Sequence, residues 1–129
     1  MAVTILLADD ESLLLLDFEQ ALTEAGYRVV AVTSGKRALE VLEAAELVVN
    51  GVVTDIQFRE PPDGWDVARA ARVANPAIAI VYMSGNSAID WASKGVPNSI
   101  MLEKPFAMAQ LVTAISQLLN GRSIEPTPP

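Results

Sequence analysis

Five short apolar runs, at residues 3–8, 27–32, 52–54, 78–83 and 99–102, alternate along this chain with segments whose apolar residues recur at helical spacing. That alternation constrains the fold strongly. Parallel strands need crossover connections, usually helices, and these crossovers cover both faces of one sheet. Residues 3–8 are β-rich and apolar throughout, as expected of a central strand buried on both sides.

The helical segments can be read one by one. Ser12 to Ala25 repeats apolar residues at Leu14, Phe18, Ala21, Leu22 and Ala25, and Gly26 stops it. Ser34 caps a second helix with a stripe of Ala38, Val41, Leu42 and Ala45. After Asp55 comes a loop rich in proline, Gln57 to Gly64, whose Asp63 is placed to cap a helix over about Trp65 to Ala74, ended by Pro76. Ser87 to Lys94 predicts a short helix closed by Gly95. The last helix buries Leu111, Ile115, Leu118 and Leu119 and ends at Asn120-Gly121, leaving 122–129 as a disordered tail with three prolines. The fold expected is a flavodoxin-like α/β domain over 1–121, a five-stranded parallel sheet of order 2-1-3-4-5 with helices on both faces.

Composition narrows the chemistry. With 129 residues the chain predicts one domain, and its apolar runs are too short to span a bilayer, so a soluble protein is expected. Cysteine and histidine are both absent, which excludes disulfides, thiolate metal sites and histidine catalysis. A net charge of −7 opposes binding to nucleic acid or to an anionic membrane. Protein partners and cations remain.

Polar residues at the strand ends supply the candidate site. They lie in Ala8-Asp9-Asp10-Glu11, Thr54-Asp55-Ile56, Met83-Ser84-Gly85 and Glu103-Lys104-Pro105-Phe106. A parallel sheet gathers such ends along its carboxyl edge, so Asp9, Asp10, Asp55, Ser84 and Lys104 can share one pocket. Three carboxylates, a hydroxyl and an ammonium suit Mg²⁺ and a phosphoryl group. Taken singly, each residue has a plainer reading: Asp9-Asp10 as a helix cap, Asp55 as a strand end, Ser84-Gly85 as a turn, Lys104 as a surface lysine. Their order and spacing favour function.

Together the four fragments resemble the receiver domain of bacterial two-component response regulators over nearly the whole chain. The resemblance implies that Asp55 is the phosphoacceptor and that Asp9, Asp10, Asp55 and the main-chain carbonyl of Gln57 hold Mg²⁺. It also implies that Ser84 and Lys104 contact the phosphoryl group, with a cis peptide to Pro105 orienting the lysine. Gln57 and Asn86 fall at the positions that influence how long the phosphoryl group persists. Such a protein is a phosphoacceptor catalysing only its own phosphorylation and dephosphorylation. Its donor is a histidine kinase or a histidine phosphotransfer protein, its output an unidentified protein target, and its location cytoplasmic.

Two departures stand out. The loop after Asp55 is one residue longer than usual, and Met101 occupies the place, three residues before the lysine, where the family commonly has an inward-turning aromatic switch residue. Phe106 is read as core. Ala88, Ile89, Trp91, Ala92 and Val96 form either a docking patch or a lid over the core. The expected function is thus a stand-alone phosphorylatable receiver. The alternative is a receiver-like interaction module that works without phosphorylation, and a phosphatase ranks last because Gln57 stands where a second Asp would be needed.

Overall fold

A computed structural model describes residues 2–44 and 46–123. Its strands are β1 (Thr4–Ala8), β2 (Arg28–Val32), β3 (Gly51–Asp55), β4 (Ala79–Ser84) and β5 (Ile100–Glu103). All pair in parallel in the order β2-β1-β3-β4-β5. The helices are α1 (Ser12–Glu24), α2 (Gly35–Ala44), α3 (Gly64–Ala74), α4 (Trp91–Lys94) and α5 (Met108–Ser123), with a 3-10 turn at Ala88–Asp90 leading into α4. The sequence-based fold is the observed one.

Every residue of β1, β3 and β4 is buried, whereas the edge strands β2 and β5 are half-buried. Alternate side chains feed two cores. Leu6, Val52, Ile80 and Tyr82 meet Ala38 of α2 and Trp65, Val67, Ala68 and Ala71 of α3 on one face. Ile5, Leu7, Val53, Val81 and Met83 meet Leu15, Phe18 and Leu22 of α1 and Leu111, Ala114 and Ile115 of α5 on the other. Phe106 belongs to this second core and stacks on Phe18 at 5.4 Å, the packing role expected of it.

Local signals explain three of the helix ends. Gly26 has φ +99°, and its N–H donates to Thr23 while that of Tyr27 donates to Leu22, a Schellman stop that glycine reaches without Cβ strain. Ser34 Oγ accepts from the Arg37 N–H at 3.1 Å. Asp63 and Asp66 cap α3 reciprocally, each carboxylate accepting the other's backbone N–H.

Three expectations are revised. The buried face of α1 runs through Leu15, Phe18 and Leu22; Leu14 is only half-buried and Ala25 is exposed. The fourth helix is shorter than Ser87 to Lys94, because its first part winds as the 3-10 turn. The last helix passes Asn120-Gly121 and continues to Ser123, since one glycine costs a helix only about 1 kcal/mol relative to alanine. Ala45 and the remainder of the expected tail, 124–129, lie outside the described residues.

Gly64 closes the loop after β3. Its N–H donates to the Ile56 carbonyl at 2.7 Å, and a Cβ there would collide with the main-chain oxygen of Asp55. Glycine is required by this close approach.

Candidate functional site

The sheet's carboxyl edge is zipped by backbone hydrogen bonds, which fix where each site residue begins. Asp9 N–H donates to Val32, Ile56 N–H to Met83 and Lys104 N–H to Ser84, at 3.2, 3.2 and 2.8 Å. Lys104 then extends over the edge from the end of β5, its peptide to Pro105 being cis. Its Nζ lies 3.2 Å from Asp9 Oδ2, 3.3 Å from Asp55 Oδ2 and 3.7 Å from Glu11 Oε1. The second oxygens of the two aspartates are held by the main chain: Asp9 Oδ1 accepts from Glu11 N–H at 2.8 Å, Asp55 Oδ1 from Ile56 N–H at 2.9 Å.

One ammonium does not balance three carboxylates. Burial pushes Asp55 up from 3.8 to about 6; Lys104 works against the rise and Asp9 adds to it. Burial also raises Asp9. For Lys104 burial favours the neutral amine, but Asp55 and Asp9 together outweigh it and the ammonium is held more tightly than usual. An additional cation at this edge would relieve the aspartates.

The donors present fit such a cation. One carboxylate oxygen from each of Asp9, Glu11 and Asp55 lies within 4.8 Å of the others, and oxygens around Mg²⁺ at about 2.1 Å can be no more than about 4.2 Å apart, so only a small contraction is needed. All-oxygen donors with room for water are what this hard ion prefers. The adjoining cleft, about 400 Å³, is lined by Asp10, Glu11, Asp55, Gln57, Ser84, Gly85, Asn86 and Lys104.

The sequence-predicted residues therefore converge, with differences in detail. Asp9 and Asp55 each contact Lys104. Asp10 is half-buried and borders the cleft without joining the three-carboxylate group. Glu11, quoted in the motif but given no role, joins it instead. Its signal was a third acid at a helix N-cap position, and there its side chain makes no capping bond. Ser84 Oγ accepts from the N–H groups of Asn86 and Ser87 at 3.2 and 2.6 Å.

Met101 is half-buried on β5, directly opposite Tyr82 in the register with β4. The aromatic here is thus on the neighbouring strand. Tyr82 packs on Trp65 with ring centres 4.7 Å apart, and its oxygen accepts from Val96 N–H at 3.1 Å. Beside it the expected patch divides. Ile89 is 88% exposed, Trp91 donates to Ser99 Oγ at 2.9 Å, and Val96 packs on the core. Among the described residues no helix is long and apolar enough to cross a membrane.

Comparison with known proteins agrees with this geometry. Residues 5–116 match the family described as response regulator receiver domain. The crystal structure of a response regulator receiver protein from Sinorhizobium medicae WSM419 superposes with a TM-score of 0.92 and is 63% identical, covering 94% of this chain and 97% of that one. The response regulator receiver protein CpdR of Brucella abortus is 32% identical over 117 residues, 89% of this chain and 95% of CpdR. Sensor kinase CckA of the same organism is 33% identical over 122 residues, 92% of this chain but 13% of the kinase, so the chain spans a small part of that relative. With the family matched over most of its length and the acidic edge in place, the chain belongs to the response regulator receiver domains of two-component systems.

Proposed function

We propose that Asp55 accepts a phosphoryl group from a histidine kinase or histidine phosphotransfer protein, with Mg²⁺ bound beside it, and that phosphorylation alters a protein-binding surface. One observation carries the reading: Asp55 Oδ2 lies 3.3 Å from Lys104 Nζ, beside the acidic group and in the lining of the cleft, while Oδ1 is held by the main chain. An Asp55 oxygen forms the new bond to phosphorus as the bond to the donor's nitrogen breaks and the donor keeps that electron pair. Lys104 offers its protons to the phosphoryl oxygens. Bound Mg²⁺ supplies positive charge where negative charge accumulates. The residues that would hold it are Asp9, Asp55, Glu11 and Asp10, with the Gln57 carbonyl at the cleft wall. Incubation with Mg²⁺ and a small phosphodonor, followed by intact-mass measurement, tests the reading: one added phosphoryl group supports it, and none refutes it.

Mg²⁺ binding separates the acids. Asp10→Ala and Glu11→Gln are each expected to weaken Mg²⁺ affinity by about tenfold, as removal of a ligand or its immediate support does at metal sites. Calorimetry checks this; unchanged affinity in either variant removes that residue from the site.

The switch should depend on Ser84 and Lys104 more than on Met101. Ser84 Oγ accepts from two N–H groups, which leaves its own proton to offer to a phosphoryl oxygen. Met101→Ala is expected to lose about 1 to 2 kcal/mol of stability through a half-buried cavity, yet to keep the long-range NMR shift changes produced by a phosphoryl mimic. Their disappearance in a folded variant would make methionine the switch residue.

A further inference from the structure

Gln57 and Asn86 line the cleft as exposed side chains on different loops, and a single buried hydroxyl joins them. Ser87 is 5% exposed; its Oγ accepts from Gln57 Nε2 at 3.3 Å and lies 3.4 Å from Asn86 Oδ1, to which it donates. A hydroxyl has one proton, so this donation and this acceptance give the two amides opposite orientations. Gln57, tied through its nitrogen, is left with its oxygen available. Asn86, tied through its oxygen, is left with its N–H₂.

We propose that Ser87 is a positioning residue for loss of the phosphoryl group, setting Gln57 to accept a hydrogen bond from the attacking water and Asn86 to donate one to a phosphoryl oxygen. The inference rests on the reading of Asp55 as phosphoacceptor. In the step concerned, the water oxygen bonds to phosphorus while the bond from phosphorus to the Asp55 oxygen breaks. The carboxylate leaves with the electron pair, and a water proton passes to solvent, giving inorganic phosphate and free Asp55. Attacking water needs an acceptor to fix its direction, and the phosphoryl oxygens need a donor. Without Ser87 Oγ, two solvent-exposed amides would sample both orientations and several rotamers, and the productive pair would be seldom populated.

Ser87→Ala isolates this role. The Ser87 backbone N–H that holds Ser84 Oγ remains, and only one oxygen atom is removed. Phosphate release from the phosphorylated protein after donor removal is expected to slow about fivefold in Ser87→Ala, the scale of one lost hydrogen bond. Ser87→Thr, which keeps the hydroxyl, is expected to restore the rate to within about twofold of wild type on the same scale. In a Gln57→Met, Asn86→Leu background, expected to be slow because both amides are gone, Ser87→Ala should add nothing, whereas a purely structural effect would persist there. Unchanged decay in Ser87→Ala, failure of threonine to rescue, or an equal slowing in the double-variant background overturns the inference while leaving Asp55 as acceptor. Failure of the wild-type protein to take up phosphate overturns the underlying reading and this inference with it.

Discussion

Asp55→Asn is expected to gain no phosphoryl group under conditions that load the wild-type protein fully, a loss of at least about a hundredfold in rate, because an amide oxygen is a far weaker nucleophile than a carboxylate. The substitution keeps the shape of the side chain and its acceptor for Ile56 N–H. Lys104 retains Asp9 at 3.2 Å and Glu11 at 3.7 Å, so the site should remain assembled. Asp9→Asn is the informative control. It removes a buried charge from the same group but leaves the proposed nucleophile, and so should react slowly instead of not at all. Intact mass followed by peptide mapping distinguishes the two. Wild-type uptake in Asp55→Asn would exclude this residue as the acceptor.

The second large effect is on stability and is opposite to the usual behaviour of paired carboxylates. In the metal-free folded protein Asp55 holds its proton up to about pH 6, whereas in the unfolded chain it ionises near 3.8. Between these values the folded state binds more protons, so the stability that Asp55 contributes in its neutral form is present below about pH 4 and is lost as pH rises through 6. A shift of about two units corresponds to about 3 kcal/mol. Asp9 adds to the fall in the same direction, and Lys104, held more tightly as an ammonium, contributes stability lost only in the alkaline range. The difference in unfolding free energy between wild type and Asp55→Asn, measured in urea with chelator from pH 4 to 8, should therefore change by about that amount. Saturating Mg²⁺, which favours the ionised carboxylate, should flatten it. A difference independent of both pH and Mg²⁺ would show that the acidic group carries no such tension.

Both effects arise from residues legible in the sequence, because the site uses short side chains fixed where buried strands stop. Strand ends are well marked when the strand is apolar throughout, and β1, β3 and β4 are buried along their whole length. Less legible was whatever depends on rotation about an axis or on side-chain reach. Leu13, Leu14, Leu15 and Leu16 are four leucines in succession, so hydrophobicity cannot select the buried one; packing against β1 and α5 chose Leu15 and left Leu13 and Leu16 80% and 61% exposed. Glu11 reaches Lys104 through a longer side chain than an aspartate has, which spacing along the chain does not reveal. Ser87 reads only as the first residue of a short helix until the fold places it beside Gln57, thirty positions away.

The neck at Gly64 has a consequence for how this protein could be altered. The segment 57–63 leaves β3 and returns to α3, and the 2.7 Å hydrogen bond from Gly64 N–H to the Ile56 carbonyl joins its two ends. The same architecture offers an insertion point: a peptide tag or reporter spliced near Glu60, which is exposed, would enlarge a loop whose base is already closed. Gly64→Ala, by contrast, would force that base apart at the carbonyl of Asp55 itself.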